Sequence, residues 1–231
     1  MSNTGLRFPN ESAEYRAKRD ALQRSEVELR RRIEEVAALR RALPEGGEVP
    51  EDYVFEEGGT SLDDTKTVRK VKLSELFGDK PTLVAYGFMY GPNVAKACPM
   101  CTAMLDGLNG NAPHITQRTN LVVIAMSPIA RIRAHARERG WNYLRLLSSA
   151  GNSFNRDYHT ETADGSQIPG MNVFVQRNGR IRHFWYPEMF GAKNELGQDP
   201  RHIDAIWPLW NVLDLTPEGR GADWRPKLAY S

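Results

Sequence analysis

The two cysteines of the chain, Cys98 and Cys101, are the residues whose type and spacing could do chemistry. They enclose Pro99 and Met100 in the segment CPMC, which follows an apolar, β-prone run and opens a helical pattern. A helix start favours an anion because its first N–H groups are unpaired, so it favours a thiolate at Cys98. Pro99 suits the first helical position, which needs no N–H donor. The spacing places both sulfurs on one helical turn, where Cys101 can attack a mixed disulfide formed by Cys98.

The residues alone leave three interpretations of this pair open. A redox motif is favoured by the strand–helix context, whereas inert packing of two thiols needs no chemistry at all. A closed zinc site would need four ligands, and the sequence contains no second Cys-x-x-Cys. Its histidines are scattered singly, at His114, His135, His159, His183 and His202. We therefore predict redox chemistry with no metal and no organic cofactor.

A second feature is Ile168-Pro169, directly before an apolar, strand-like segment. Proline is accepted at the first residue of a strand but not inside a central one. An ordinary trans proline ending a loop is one interpretation. The other, a cis bond that leaves the backbone of Ile168 free to pair with an extended substrate, is what the resemblance described below implies.

The elements that position these residues follow from the hydrophobic pattern. Buried strands and the helices between them are predicted at 81–90, 98–109, 120–127, 128–140 and 143–149. Asn178-Gly179 predicts a hairpin turn, and a turn-rich segment ahead of 73–76 predicts a shorter hairpin. The stretch 202–215 is helical in pattern, with Pro208 kinking it or beginning a second helix. This order predicts an α/β fold, a central mixed β-sheet with helices on both faces.

A long helix is predicted ahead of this domain, over about residues 10–43, with Asn10 or Ser12 as its cap. Apolar side chains recur along it every seven residues, at Leu22, Leu29, Val36 and Leu43. Such a helix lies along its own domain, forms a homodimeric coiled coil through residues 12–43, or contacts nucleic acid. The turn-rich segment after it predicts a helical extension at 1–48 and a main domain at 49–231.

Composition limits the classes of protein and of partner. The 231 residues are 40% hydrophobic and 26% charged, as in an ordinary soluble protein, and the net charge of +2 does not point to nucleic acid. No apolar run approaches the roughly 18 residues of a membrane span, and the first residues lack the apolar core of a secretory signal. We therefore expect a cytoplasmic protein without a membrane partner, in which a cysteine pair is transiently rather than permanently oxidised.

With CPMC and IPG in place, residues 79–215 resemble the thioredoxin superfamily. More narrowly, FMYGPNVAKACPMC, SSAGNSFNRDY, PGMNVFVQRNGRIRHFWY and LDLTPEGRG resemble a bacterial family described as predicted dithiol–disulfide oxidoreductases. The resemblance implies a thioredoxin-like fold with a cis proline at Pro169 facing the disulfide. Ile168, Pro169, Pro99 and Met100 would then line the groove for a protein or small-molecule disulfide, and a separate reductant would supply electrons.

Three departures limit what the resemblance carries over. Ala97 stands where thioredoxin has tryptophan, and the segment LVAYGFM has no counterpart of its buried acidic residue. Ala95 stands where peroxiredoxins carry threonine or serine, which disfavours peroxidase chemistry of that type. A non-enzymatic redox sensor or interaction protein, dimerising through the long helix, is therefore the alternative function.

Side chains beyond the motif could also shape a pocket. Phe154, Tyr158, Trp185 and Tyr186 either pack the sheet edge or form a lip beside Cys98. His159 or His183 would serve as a base towards Cys101 if the fold brought either of them close.

Overall fold

A computed structural model describes residues 5–188, 196, 206–219, 221 and 224–230. The chain divides into two compact units, Met1–Pro44 and Glu45–Ser231. The second unit begins at Glu45, where the sequence analysis set the boundary after residue 48.

The first unit consists mainly of one long helix, α1, at Ala13–Arg41. Ser12 caps it, because its hydroxyl oxygen accepts the N–H of Tyr15 at 3.1 Å. None of the α1 residues is buried. The apolar row with seven-residue spacing is exposed along its length and includes Tyr15, with Leu22, Leu29, Val36 and Leu43.

The second unit is built on a mixed sheet. Its strands are β1 (Val54–Gly58), β2 (Val68–Lys72), β3 (Thr82–Gly87), β4 (Asn120–Ala125), β5 (Arg145–Ser148), β6 (Gly170–Arg177) and β7 (Arg180–Trp185). Among the described residues they form one sheet in the order β2-β1-β5-β4-β3-β6-β7. β3, β4 and β5 are mutually parallel, whereas β1 and β2 at one edge and β6 and β7 at the other pair antiparallel. The predicted α/β fold is confirmed.

Four helices and a 3-10 turn accompany this sheet. They are the 3-10 turn Leu73–Leu76, α2 (Pro99–Ile115), α3 (Ile129–Arg139), α4 (Phe154–Asp157) and α5 (Pro208–Leu213), all within the described residues. Pro208 begins α5, as the second of the two sequence alternatives predicted. The earlier part of the predicted last helix, 202–205, lies outside the described residues.

The core has two layers, one on each side of the sheet. Successive side chains of a strand point to opposite faces, so Tyr86 and Val123 pack in one cluster, and Ala85 and Ile124 in the other. The first cluster also holds Cys101 and the buried side chains of α2 and α3. The inner strands are therefore apolar on both faces, as the continuous hydrophobic runs indicated.

One local signal in the sequence, Asn178-Gly179, predicts its turn correctly. Asn178 and Gly179 both have positive φ, 51° and 75°, as the tight turn between β6 and β7 requires. One boundary was wrong: α2 was expected to end near Asn109 but continues to Ile115. Leu108 and Ala112 are buried, and this tertiary packing outweighs the poor helix propensity of the glycines and proline around them.

Candidate functional site

Cys98 and Cys101 meet at the start of α2. Cys98 is the N-cap of the helix, and its Sγ accepts the backbone N–H of Cys101 at 3.3 Å. The carbonyl of Cys98 accepts the N–H of Thr102 at 2.9 Å, which begins the helical ladder. Both cysteines are free, with Cys98 partly accessible and Cys101 only 3% exposed. One sulfur can therefore meet a substrate while the other is shielded.

The end of β3 fixes this helix start. β3 ends at Gly87, and the N–H of Phe88 extends the sheet by donating to the carbonyl of Ile124 at 2.8 Å. The next carbonyl, that of Met89, accepts the N–H of Cys98 at 3.2 Å. Cys98 is thus anchored at the carboxyl end of the parallel strands, the edge where sites in such sheets lie.

The two thiols have opposite pKa shifts. The pKa of Cys98 is lowered to about 6, chiefly because the Cys101 thiol donates a hydrogen bond to its sulfur and further because the N–H groups of Cys101 and Met100 point at it. The pKa of Cys101 is raised well above its ordinary value, first by the same hydrogen bond and then by burial. At neutral pH the pair therefore holds one thiolate, on Cys98, and one thiol, on Cys101.

Tyr86 is a site residue that the sequence analysis missed. It lies in β3 beneath α2, is 4% exposed, and its hydroxyl lies close enough to the Cys101 sulfur to lower the pKa of that thiol. Burial raises the pKa of Tyr86 well above its ordinary range, so the phenol stays neutral and can only donate to a thiolate on Cys101. A tyrosine in a strand predicted to be wholly buried was a usable signal, since a buried phenol needs a partner.

The Ile168–Pro169 segment lies at the same end of the sheet as the cysteines. Gly170 pairs with Gly87, and extending this antiparallel register by two residues sets Ile168 opposite Met89, the acceptor of the Cys98 N–H. Both Ile168 and Pro169 are half-buried. The fold thus brings this segment and the CPMC segment to one sheet end.

The expected cis form is not found there. No peptide bond within the described residues is cis, so the Ile168–Pro169 bond is trans. Trans is the lower-energy form by about 0.5–1 kcal/mol, and here the N–H of Ile168 donates to the carbonyl of Thr160 at 3.1 Å. That N–H is occupied within its own loop, unlike the free backbone that the sequence analysis expected.

Exposed apolar side chains lie close to Cys98 in the chain. Pro99 occupies the first position of α2, as predicted, and is exposed. Met100 is also exposed, and Val94 in the preceding loop is 44% exposed. A disulfide approaching Cys98 would meet these side chains first.

The aromatic residues considered as a lip lie mostly elsewhere. Phe154 and Tyr158 are buried in the core layer on the other side of the sheet, where Tyr158 stacks on His183. His183 is also bonded to Asn172 at 2.9 Å, which keeps it away from Cys101. Tyr186 is the member nearest the site, since its ring borders Gly170.

Polar contacts attach α2 to α3 just behind the cysteines. The Thr102 hydroxyl and His135 Nε2 are hydrogen-bonded at 3.2 Å, and both side chains are buried. Burial lowers the pKa of His135, so the imidazole is neutral at pH 7. One turn further on, Asp106 accepts the Trp141 indole N–H at 2.8 Å. The helix that carries Cys98 and Cys101 is therefore fixed in place by its neighbour.

The described residues hold neither a metal-binding cluster nor a membrane-spanning helix. No group of three or more His, Cys, Asp or Glu side chains lies close enough together there to hold a metal ion. No helix in the described part of the chain is long and apolar enough to cross a membrane.

The mixed sheet, with its parallel centre, its antiparallel β6 and β7, and Cys98 and Cys101 at the start of the helix after β3, has the arrangement of a thioredoxin-like fold. Residues 6–230 match the sequence model of DUF899, described as a bacterial protein of unknown function. The chain belongs to that family. No curated protein matches it.

Several solved structures are similar in fold. Thioredoxin peroxidase I of Plasmodium yoelii aligns with 18% identity and a TM-score of 0.46 over 80% of this chain and 100% of its own. AhpC of Enterococcus faecalis aligns with 12% identity and a TM-score of 0.45 over 79% and 98%. The exposed lipoprotein thioredoxin Etrx1 of Streptococcus pneumoniae aligns with 11% identity and a TM-score of 0.40 over 68% and 98%. At these identities the likeness concerns the fold alone.

Proposed function

We propose that this protein catalyses thiol–disulfide exchange, with Cys98 as the nucleophile and Cys101 as the resolving thiol. The observation that carries the proposal is the asymmetry of the pair: an accessible sulfur held as a thiolate at a helix start, beside a shielded thiol. The resemblance of the sequence to predicted dithiol–disulfide oxidoreductases supports the same chemistry.

The reaction has two exchange steps. The Cys98 thiolate attacks one sulfur of the substrate disulfide, forms a mixed disulfide and releases the other substrate sulfur as a thiolate. Cys101 then loses its proton to water and attacks the Cys98 sulfur. The Cys98–Cys101 disulfide forms and the second substrate thiolate leaves. The substrate gains two electrons, the protein loses two, and a reductant returns them.

Four residues are proposed to shape the groove for the substrate. Pro99 and Met100 are exposed beside Cys98, and Ile168 and Pro169 stand across the end of the sheet. A protein or small-molecule disulfide would lie between these two segments. Electrons would come from a partner reductase or a small thiol, as suits a protein of the reducing cytoplasm.

Insulin reduction in the presence of dithiothreitol tests the proposal. We expect wild-type protein to accelerate the reaction and Cys98→Ser to be inactive. Reduced Cys101→Ser, mixed with insulin after the dithiothreitol has been removed, should stop at a mixed disulfide that mass spectrometry detects. A small disulfide, hydroxyethyl disulfide, serves as second substrate, so that substrate size and chemistry are tested separately. Equal rates for wild type and Cys98→Ser on both substrates would contradict the proposal.

A second function, redox sensing through a homodimer, is favoured by α1. A strict seven-residue apolar repeat suits a seam that supercoils around a second helix, and none of its members is buried within the chain.

We expect light scattering to give twice the monomer mass for the wild type and for the control Ala38→Glu, on the opposite side of α1. The double variant Leu29→Glu/Val36→Glu should be monomeric, and a monomeric wild type would contradict the dimer. Sensing further requires that oxidation of Cys98 and Cys101 changes this mass.

A further inference from the structure

The loop between Met89 and Cys98 carries the nucleophile but is poorly covered. Residues 92–96 are exposed, and fixing exposed backbone costs about 1–2 kcal/mol per residue in conformational entropy. Something must hold the loop if Cys98 is to stay at the start of α2.

Arg131, near the start of α3, provides that hold. Its guanidinium donates to the carbonyls of Gly91 and Pro92, each at 3.2 Å, and to those of Val94 and Ala95, the latter at 3.1 Å. These charge-assisted bonds use most of the five donors of the group. In the part of the chain that the structure describes, the guanidinium pairs with carbonyl oxygens and with no carboxylate.

Neighbouring contacts fix Arg131 itself. Its guanidinium carbon lies 4.5 Å from the centroid of the Tyr90 ring, a cation–π contact on a buried aromatic side chain. The Ser127 hydroxyl donates to the carbonyl of Gly91 at 2.9 Å, so Gly91 is bound from two side chains. On the other side of the loop, the Gln167 amide lies against Gly91.

We propose that Arg131 is a positioning residue for Cys98, holding the preceding loop so that the sulfur stays against the N–H groups at the start of α2. The inference deepens the proposed function and rests on it. Other side chains of α3 show what makes Arg131 specific: Arg137 donates to the carbonyl of Leu62 at 3.0 Å, in a different loop.

The test is the pH profile of Cys98 alkylation by iodoacetamide in Arg131→Met, which keeps the aliphatic stem and removes the donors. The control is Arg137→Met. We expect the midpoint of the wild type and of Arg137→Met near 6, and that of Arg131→Met higher by about one unit, the equivalent of one lost hydrogen bond to a charged group. At pH 7 the alkylation rate should fall several-fold.

Two further outcomes are decided in advance. If Arg131→Met does not fold by circular dichroism, Arg131→Lys replaces it, because one ammonium group cannot reach four carbonyls and a smaller upward shift is expected. A midpoint unchanged from the wild type in the folded variant overturns the role of Arg131. Because alkylation needs no turnover, this result is independent of the insulin assay: an inactive wild type with a shifted Arg131 variant would contradict the proposed function alone.

Discussion

Two thiols of the same residue type differ here because of what each sulfur touches. The Sγ atom of Cys98 accepts the N–H of Cys101 and interacts with the Cys101 thiol. Cys101, in contrast, is enclosed in the core beside the Tyr86 hydroxyl. The first environment stabilises the charged form and the second stabilises the neutral form. These contacts therefore decide which cysteine acts as the nucleophile and which as the resolving thiol.

The pKa of Cys98 is directly measurable by the thiolate absorbance at 240 nm of the reduced protein. We expect a midpoint at about 6 for the wild type, with thiolate above and thiol below it, and no transition there in Cys98→Ser. Cys101→Ala should raise the midpoint, because the largest lowering comes from the Cys101 thiol. A wild-type midpoint near the ordinary value of about 8.5 would refute this description of the site.

The same shift links pH to stability. Since the pKa of Cys98 is lower in the folded state, this group stabilises the reduced protein fully above about 8.5 and loses that contribution as pH falls through about 6. As the pH rises from about 6 to about 8.5, the reduced wild type should therefore gain unfolding free energy relative to Cys98→Ser.

The Tyr86 hydroxyl should matter only for the second exchange step. Reaction with Ellman's reagent separates the steps, because Cys98 releases the first thionitrobenzoate and Cys101 the second. In Tyr86→Phe the second release should slow roughly ten-fold or more, since a hydrogen bond to a developing thiolate is lost, while the first is unchanged. Tyr53→Phe is the matched control, because that hydroxyl is bonded to Asp157 instead. Equal second phases in both variants would exclude the role of Tyr86.

At the scale of elements, β3 ends and β6 begins at a pair of glycines, Gly87 and Gly170, that has no room for side chains. A Cβ added at Gly87 would lie 2.5 Å from Thr160 Cγ2, and one at Gly170 2.7 Å from the Tyr186 ring. This close packing brings the Ile168–Pro169 segment against the end of β3, from which the chain continues to Cys98. The glycines therefore position both segments between which the substrate groove is proposed.

Substitution of Gly87 tests that packing. Gly87→Ala should destabilise the protein by about 1–3 kcal/mol, because the neighbouring side chains must shift. Gly110→Ala, in α2, meets nothing within 4 Å and should be neutral or stabilising by up to about 1 kcal/mol. Denaturant unfolding measures the free energy of unfolding of both variants. Equal values for Gly87→Ala and Gly110→Ala would contradict the prediction, because they would mean that Thr160 moves aside without loss of stability.

At the scale of the whole molecule, the sequence contained the signals for the elements and for the cysteine pair. The apolar runs of β3 and β4, the turn at Asn178 and the Pro99 helix start are local patterns, so each could be predicted without the fold. The role of Arg131 could not, because it depends on contacts with a loop distant in the chain. The buried Tyr86 signalled only that its phenol needs a partner, and not that this partner is Cys101. The trans state of the Ile168–Pro169 bond could not be predicted either, because no local pattern around Pro169 distinguishes it from the cis state.

Catalysis of thiol–disulfide exchange requires above all that Cys98 and Cys101 form a reversible couple. Equilibrating the protein in glutathione buffers and counting free thiols by mass spectrometry gives the potential of that couple. We predict a two-electron transition to an intramolecular disulfide between about −270 mV, the value of a reductase, and about −120 mV, that of an oxidant. Two results would contradict the proposed function: no Cys98–Cys101 disulfide in any of the glutathione buffers, or a disulfide whose reduction potential lies below about −300 mV, as in structural disulfides.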